Sequence, residues 1–149
     1  DPEVLTDNLL PYSLVEHIHE REVAHHLGLD VRFLPHVAPF FRGISLTIAA
    51  ELKAAESEEA LFARFRSFYA KFPLVEVRSD IPEVKEVRGS HRVIIGGFSV
   101  GEAQPARIAL VAVLDNLLKG AATQAVQNLN LAFGLDALTG LTDNVGHTE

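Results

Sequence analysis

The sequence predicts an α+β domain: a mixed, mostly antiparallel sheet with helices on one face. Three observations predict it. Ile44, Leu46, Ile48, Ala50 and Leu52 alternate with Ser45, Thr47, Ala49 and Glu51, which is the period of a strand. Two apolar runs, 91–100 and 106–114, are joined by Gly101-Glu102-Ala103-Gln104-Pro105, a link of hairpin length containing Gly. Apolar residues at helical spacing fill 61–72 and 122–133, so helices flank groups of strands instead of alternating with each one.

Each element has its own signal. Residues 1–10 carry Pro, Asp and Asn and predict a lead-in loop. The chain from Pro11 predicts an extended segment to about Glu16, then a helix to Leu27 stopped by Gly28. Residues 31–37 predict a strand broken by Pro35, and Pro39 and Gly43 bracket a turn carrying Phe40, Phe41 and Arg42. The alternating run 44–52 predicts a strand with one buried face. Ser57 is an N-cap with Glu58 and Glu59 in the first turn, and Leu61, Phe62, Phe65, Phe68, Tyr69 and Phe72 form a core-facing stripe ending at Pro73. Residues 74–77 predict a short strand, Pro82 a break, and 84–87 an edge pairing. Gly96 and Gly97 interrupt the first hairpin arm, as at a bulge. The run 107–114 predicts a strand buried on both faces.

The segment after that strand organises the chain. Asp115 or Asn116 caps a helix whose apolar face is Ala122, Ala125, Val126, Leu129 and Phe133, with Gly134 as its stop. Gly120, Ala121 and Ala122 keep its first turn bare. Unpaired N–H groups there carry partial positive charge and admit a ligand, although small residues serve equally for close packing. The tail after Leu141 predicts fraying.

Composition excludes several classes. A length of 149 residues fits one domain with a real core. The net charge of −7, without a basic block, argues against a general nucleic-acid surface. No apolar run approaches the roughly 20 residues of a membrane helix, and the N-terminus has no signal-peptide pattern. With no cysteine the chain offers no disulfide, thiolate nucleophile or Cys-based metal site. It also has no methionine and begins Asp1-Pro2, which predicts either removal of the initiator or a fragment.

Histidine supplies the candidate chemistry. His17, His19, His25, His26 and His36 fall in one short region and offer acid–base groups or metal ligands, or simply surface histidines. His17 and His19 share a face only if the chain is extended; on a helix they diverge by about 200°. A catalytic zinc site needs a third ligand, and the spacing fixes none, so no metal is expected. Arg42 in its aromatic turn can grip a carboxylate or phosphate bidentately, or stack on Phe40 or Phe41.

The run Asp115-Asn-Leu-Leu-Lys-Gly-Ala-Ala122, followed by Gln124-Ala-Val-Gln-Asn-Leu-Asn-Leu131, resembles the end of the N-acetyl-γ-glutamyl-phosphate reductases. Pro11-Tyr12, His17-x-His19, Pro35-His36 with Pro39, Arg42-Gly43 and Gly96-Gly97 look like the same family in the same order, from about Pro11 to Leu141. One departure is local: the family often shows Gly-His-x-His followed by Pro-Glu, whereas here Glu16 precedes the pair and Glu20-Arg21-Glu22 follows it.

The resemblance implies a fold like the C-terminal domain of glyceraldehyde-3-phosphate dehydrogenase, with a returning C-terminal helix. It implies 1–118 as a substrate and dimerisation domain, and 119–149 as a helix and tail that pack on an NADP-binding domain. The family reaction reduces an acyl phosphate through a cysteine thioester, and this chain holds neither that cysteine nor a Gly-x-Gly-x-x-Gly loop. The resemblance therefore implies a piece inactive alone, using NADP only with the other domain. By resemblance, His19 is the acid–base group with His17 beside it, and Tyr12, Arg42 and His36 hold the substrate. Asn116 and Gly120 face the nicotinamide. A small-molecule substrate, a homo-oligomer and a cytoplasmic location (mitochondrial or plastid in a eukaryote) follow. Three alternatives stand beside it: the lysine-pathway aminoadipyl-phosphate reductase, a non-enzymatic dimerisation module, and a metal-dependent hydrolase built on the histidines.

Overall fold

The computed structural model describes residues 2–141. The chain forms two compact units, 1–41 and 42–149.

The first unit is held by few regular elements. A single helical turn, α1 (Pro2–Leu5), stands where a loop was expected. Strand β1 (Leu10–Pro11) pairs antiparallel with β2 (His36–Val37). The expected strand over 31–37 shrinks to those two residues, because Pro35 removes a donor and β1 offers only two residues for pairing. Helix α2 (Ile18–Leu27) begins within two residues of its predicted start. Gly28 ends it in the left-handed conformation at φ 65°, its N–H donating to Ala24 O at 2.9 Å.

The second unit is a four-stranded sheet in the order β3-β6-β5-β4. Strand β3 (Ile44–Glu51) pairs antiparallel with β6 (Arg107–Leu114), and β6 pairs antiparallel with β5 (Val93–Val100) across the predicted hairpin. Strand β4 (Val75–Val77) lies parallel to β5. The register slips between Gly96 and Ser99, which is the bulge that the two glycines announced. A Cβ on Gly96 would strike the carbonyl oxygen of Asp80, and Gly97 sits at φ 65°, so both positions require glycine.

Helix α3 (Glu58–Tyr69) covers one face of this sheet. Ser57 Oγ caps it by accepting from Ala60 N at 3.2 Å. Leu61 is buried with Ile95, Phe98, Ile108 and Leu110, and Phe62, Phe65 and Tyr69 close over them. Burying Leu61 alone is worth about 1.5–3 kcal/mol. Phe68 and Phe72, expected in the same stripe, stay exposed. On the other face Ile94 and Val113 pack with Val87. Val87 ends a 3₁₀ turn (Val84–Val87) where an edge strand was expected. Local polar bonds decide that difference: Glu83 N donates to Glu86 Oε2 at 2.6 Å, and Arg78 grips Glu86 through Nη1 at 3.0 Å and Nη2 at 2.6 Å.

Strand β3 departs most from expectation. Its alternation predicts one buried face, yet Leu46 is only half-buried, and Ile44 and Ile48 are exposed. It is an edge strand with one neighbour: Leu46 and Leu52 pack against the core, while Ile44 and Ile48 stay exposed among the described residues.

Strand β6 runs into a π-helical turn (Leu118–Ala122) that passes directly into α4 (Thr123–Ala132). The root of α4 is fixed: Thr123 is buried, and its Oγ1 lies 2.6 Å from His91 Nδ1. Its far end is held by buried Asn130, whose Nδ2 donates to Ala137 O at 3.3 Å and Thr139 O at 2.8 Å. Its apolar face is largely bare, with Leu129 57% and the C-cap Phe133 74% exposed and Val126 half-buried. The expected fraying after Leu141 falls outside the described residues.

Candidate functional site

The first unit gathers four rings. His17 lies 5.7 Å from Tyr12, 4.9 Å from His19 and 5.1 Å from Phe33, centroid to centroid. His19 meets Phe33 edge-on at 6.1 Å. His17 is the N-cap of α2, so the chain is still extended at φ −57°, ψ 142° when it passes His17 and turns helical only beyond it. That late start lets His17 and His19 converge despite their spacing of two. Ser13 at φ 44° and Glu16 at φ 57° take the left-handed conformation on the approach, an arrangement unfavourable for residues with a Cβ.

Hydrogen bonds assign the imidazole nitrogens. His17 Nδ1 accepts from the His19 backbone N–H at 3.2 Å, so the proton of neutral His17 sits on Nε2. His19 Nδ1 lies 2.8 Å from Glu22 Oε2, and an ionised carboxylate only accepts, so His19 Nδ1 carries a proton. Nε2 of neutral His19 then holds a free lone pair, while Nε2 of His17 is a donor. The His19 side chain is 60% exposed, so its Nε2 is open to a ligand, whereas His17 is half-buried. His36 stands apart: its Nδ1 pairs with Leu34 O at 3.0 Å in the β2 region. His25 and His26 meet edge-on at the end of α2, at 5.5 Å. Among the described residues no group of three or more His, Asp or Glu side chains is placed to hold a metal ion.

The second unit gathers its polar residues around Asp115, which is fully buried. Oδ1 accepts from Arg42 Nη2 at 3.0 Å, Leu117 N at 2.9 Å and Leu118 N at 3.0 Å. Oδ2 accepts from Gly89 N at 2.7 Å and lies 2.7 Å from Arg42 Nε, an ion-pair contact too bent for a hydrogen bond. Burial pushes the Asp115 carboxyl up, but the Gly89 amide, the Arg42 guanidinium and the Leu118 and Leu117 amides together hold it below the usual carboxylate range. Beside it, Asn116 Oδ1 accepts from Gly43 N at 2.7 Å. Asp115 therefore caps the following turn, as expected, and also ties three segments together.

Gly120 N donates to Asp115 O at 2.9 Å inside the π turn. A Cβ there would lie 3.1 Å from Leu114 Cδ1, so packing on β6 already explains its bareness. Lys119 Nζ donates to Gln124 Oε1 at 2.9 Å and Gln127 Oε1 at 2.5 Å, and burial lowers its pKa.

Of the residues singled out in the sequence, Tyr12, His17 and His19 come together, as do Arg42 and Asn116. His36 joins neither group. Phe33, Glu22 and the hub role of Asp115 were missed. For Asp115 a signal existed, since a carboxylate directly after a doubly buried strand needs partners.

An antiparallel-rich sheet with α3 on one face and a capped turn after its central strand is the plan of a semialdehyde dehydrogenase dimerisation domain. The chain belongs to that family, whose model matches residues 2–116. Among curated proteins it is 51% identical over 141 residues to an N-acetyl-gamma-glutamyl-phosphate reductase of Xanthomonas campestris pv. campestris (strain B100), covering 95% of this chain and 44% of that protein. It is 49% identical over 146 residues to "Bifunctional protein argC, mitochondrial" of Dictyostelium discoideum, covering 97% and 17%. Among solved structures, a probable aspartate-semialdehyde dehydrogenase from Pseudomonas aeruginosa matches with a TM-score of 0.69 at 25% identity, over 88% of this chain and 43% of that one. Aspartate semialdehyde dehydrogenase II from Vibrio cholerae matches with a TM-score of 0.68 at 22% identity, over 85% and 41%, and shares the fold. The chain thus spans less than half the length of these relatives. No helix among the described residues is long and apolar enough to cross a membrane.

Proposed function

We propose that this chain is the substrate and dimerisation portion of an NADPH-dependent reductase converting N-acetyl-γ-glutamyl phosphate to N-acetylglutamate semialdehyde in arginine biosynthesis, and that it is inactive alone. The observation that carries this is 51% identity to such a reductase across 95% of the chain.

In this reading a cysteine of the nucleotide-binding domain attacks the acyl phosphate and releases phosphate. NADPH, when bound with the nucleotide domain, would supply the hydride for reduction of the resulting thioester. His19, when protonated on Nε2 as well as Nδ1, gives the Nε2 proton to the oxyanion formed at the carbonyl carbon and takes it back as the thiolate leaves. Glu22 accepts from His19 Nδ1 and holds the ring. His17 donates from Nε2, and Tyr12 and His36 complete the substrate contacts. Arg42 binds an anionic group of the substrate.

On the cofactor side Asn116 fits. Its Oδ1 is spent on Gly43, which leaves the amide NH₂ as a donor that would help hold the nicotinamide. Gly120 lies in the same turn. The segment 119–149 packs on the nucleotide domain through Leu129 and Phe133, and the exposed Ile44 and Ile48 of β3 meet a second copy. The reductase works in the cytoplasm, or in mitochondria as the name of the Dictyostelium relative says of that protein.

The test is the reverse reaction of the complete reductase with NADP, phosphate and the semialdehyde. Turnover with the acetylglutamyl compound is expected, along with much lower kcat/KM for the aminoadipyl homologue. Equal or better use of the aminoadipyl compound would overturn the substrate assignment.

A further inference from the structure

Asp115 touches no solvent, so its role in the reductase is exerted through what it holds. It takes one long edge of the Arg42 guanidinium, Nε at 2.7 Å and Nη2 at 3.0 Å. A guanidinium has five N–H donors in a planar fork, and occupying that edge leaves the Nη1–Nη2 end. Nη1 takes no hydrogen bond among the described residues, and the side chain stays 24% exposed. The same carboxylate holds the Leu117 and Leu118 amides, the residues immediately after Asn116, while Asn116 itself holds Gly43, the residue immediately after Arg42. The two chain segments are stapled in both directions.

We propose that Asp115 is the positioning residue of the substrate site: it fixes Arg42 so that the free Nη1–Nη2 end presents two parallel donors to one anionic group of the substrate, a carboxylate or a phosphate. This rests on the reductase reading above. Without the clamp, Arg42 has several rotatable bonds and its fork points nowhere in particular; with it, the rotamer entropy of binding is already spent before substrate arrives. The same pairing makes Arg42 and Asp115 one unit, so their effects on binding are not independent.

The test uses the complete reductase, with R42Q, D115N and the double variant. In the reverse direction, KM is measured separately for inorganic phosphate and for the semialdehyde. R42Q is expected to raise one of the two by roughly 10-fold or more with a smaller change in kcat, as for a lost charge-assisted bidentate contact. A rise for phosphate identifies the phosphoryl group, and a rise for the semialdehyde identifies its carboxylate. D115N is expected to raise the same KM, and the double variant to add nothing to R42Q. R42K, which keeps the charge and loses the fork, is expected to resemble R42Q. If R42Q leaves both KM values unchanged while the parent enzyme is active, the inference fails and the reductase reading stands. Additive effects of R42Q and D115N, or D115N lowering only kcat, also overturn it. Should D115N not fold, R42Q and R42K decide alone. An inactive parent enzyme would refute the reductase reading itself.

Discussion

The imidazole cluster of the first unit and the Asp115 hub of the second hold polar groups in opposite ways. His19 and Glu22 are more than half exposed and meet through one contact, and α2, which carries them, buries none of its residues. Asp115 is fully buried and accepts from four groups, three of them backbone amides. Exposed pairs are worth little to stability but leave their nitrogens free for chemistry. Buried, fully bonded carboxylates are costly to break and have nothing to offer a ligand directly. On the proposed reading the contrast separates groups that react from groups that position, and each side of it can be broken on its own.

The largest expected effect is on turnover. In the complete reductase, His19→Ala lowers kcat by roughly 10²–10⁴-fold, the range for a lost acid–base group, while circular dichroism and the urea midpoint of the protein stay put. His25→Ala and His26→Ala, at the far end of α2, leave kcat unchanged. Equal losses at all three would erase the distinction between reacting and bystander histidines.

The converse holds at the hub. Asp115→Ala leaves the Arg42 charge and three amides without their acceptor, and is expected to cost about 3–5 kcal/mol in urea unfolding. A loss under about 1 kcal/mol, the scale of a surface pair, would show that the hub is not tighter than the exposed His19–Glu22 contact.

Acid sharpens the same comparison. The folded carboxyl of Asp115 lies below its unfolded value, so its stabilisation is fully present above about pH 3.9, the ordinary carboxyl value, and is lost as pH falls through the folded value. The stability gap between parent and Asp115→Asn should therefore be flat through neutrality and close only in strong acid. A gap that shrinks between about pH 8 and 5, where histidine titrates, would assign it to another group.

The smallest expected effect concerns α4. Leu129→Asp with Phe133→Ser removes two side chains that are already exposed, so the fold should change by less than about 0.5 kcal/mol, as at ordinary surface sites. Light scattering should nonetheless show weaker association with the nucleotide-binding domain or with a second copy. Unchanged association would mean that this face has no partner.

The sequence was most legible where one physical signal acts locally. The alternation of 44–52, the hairpin over 93–114, the Gly96-Gly97 bulge, and the Ser57 and Gly28 caps all depend on neighbours in the chain. It was least legible where distant partners decide. Residues 84–87 carry a strand-like Val–Val pair, but the Glu83–Glu86 bond and Arg78 coil them into a 3₁₀ turn. The apolar stripe of β3 was readable, whereas its exposure was not, because period alone does not say what covers a face. At the site, the pairing of His17 with His19 required knowing that the chain is still extended at His17 and α2 starts only at Ile18. Asp115 read as a cap, and its grip on Arg42, 73 residues away, has no local signature.

The most direct measurement follows reduced-nicotinamide absorbance in the reverse reaction for three samples: this chain alone, the nucleotide-binding domain alone, and the two joined in the complete reductase. The account predicts turnover in the third sample only, abolished to within the range above by His19→Ala. Turnover by this chain alone would contradict it, because the sequence contains no cysteine to carry the thioester.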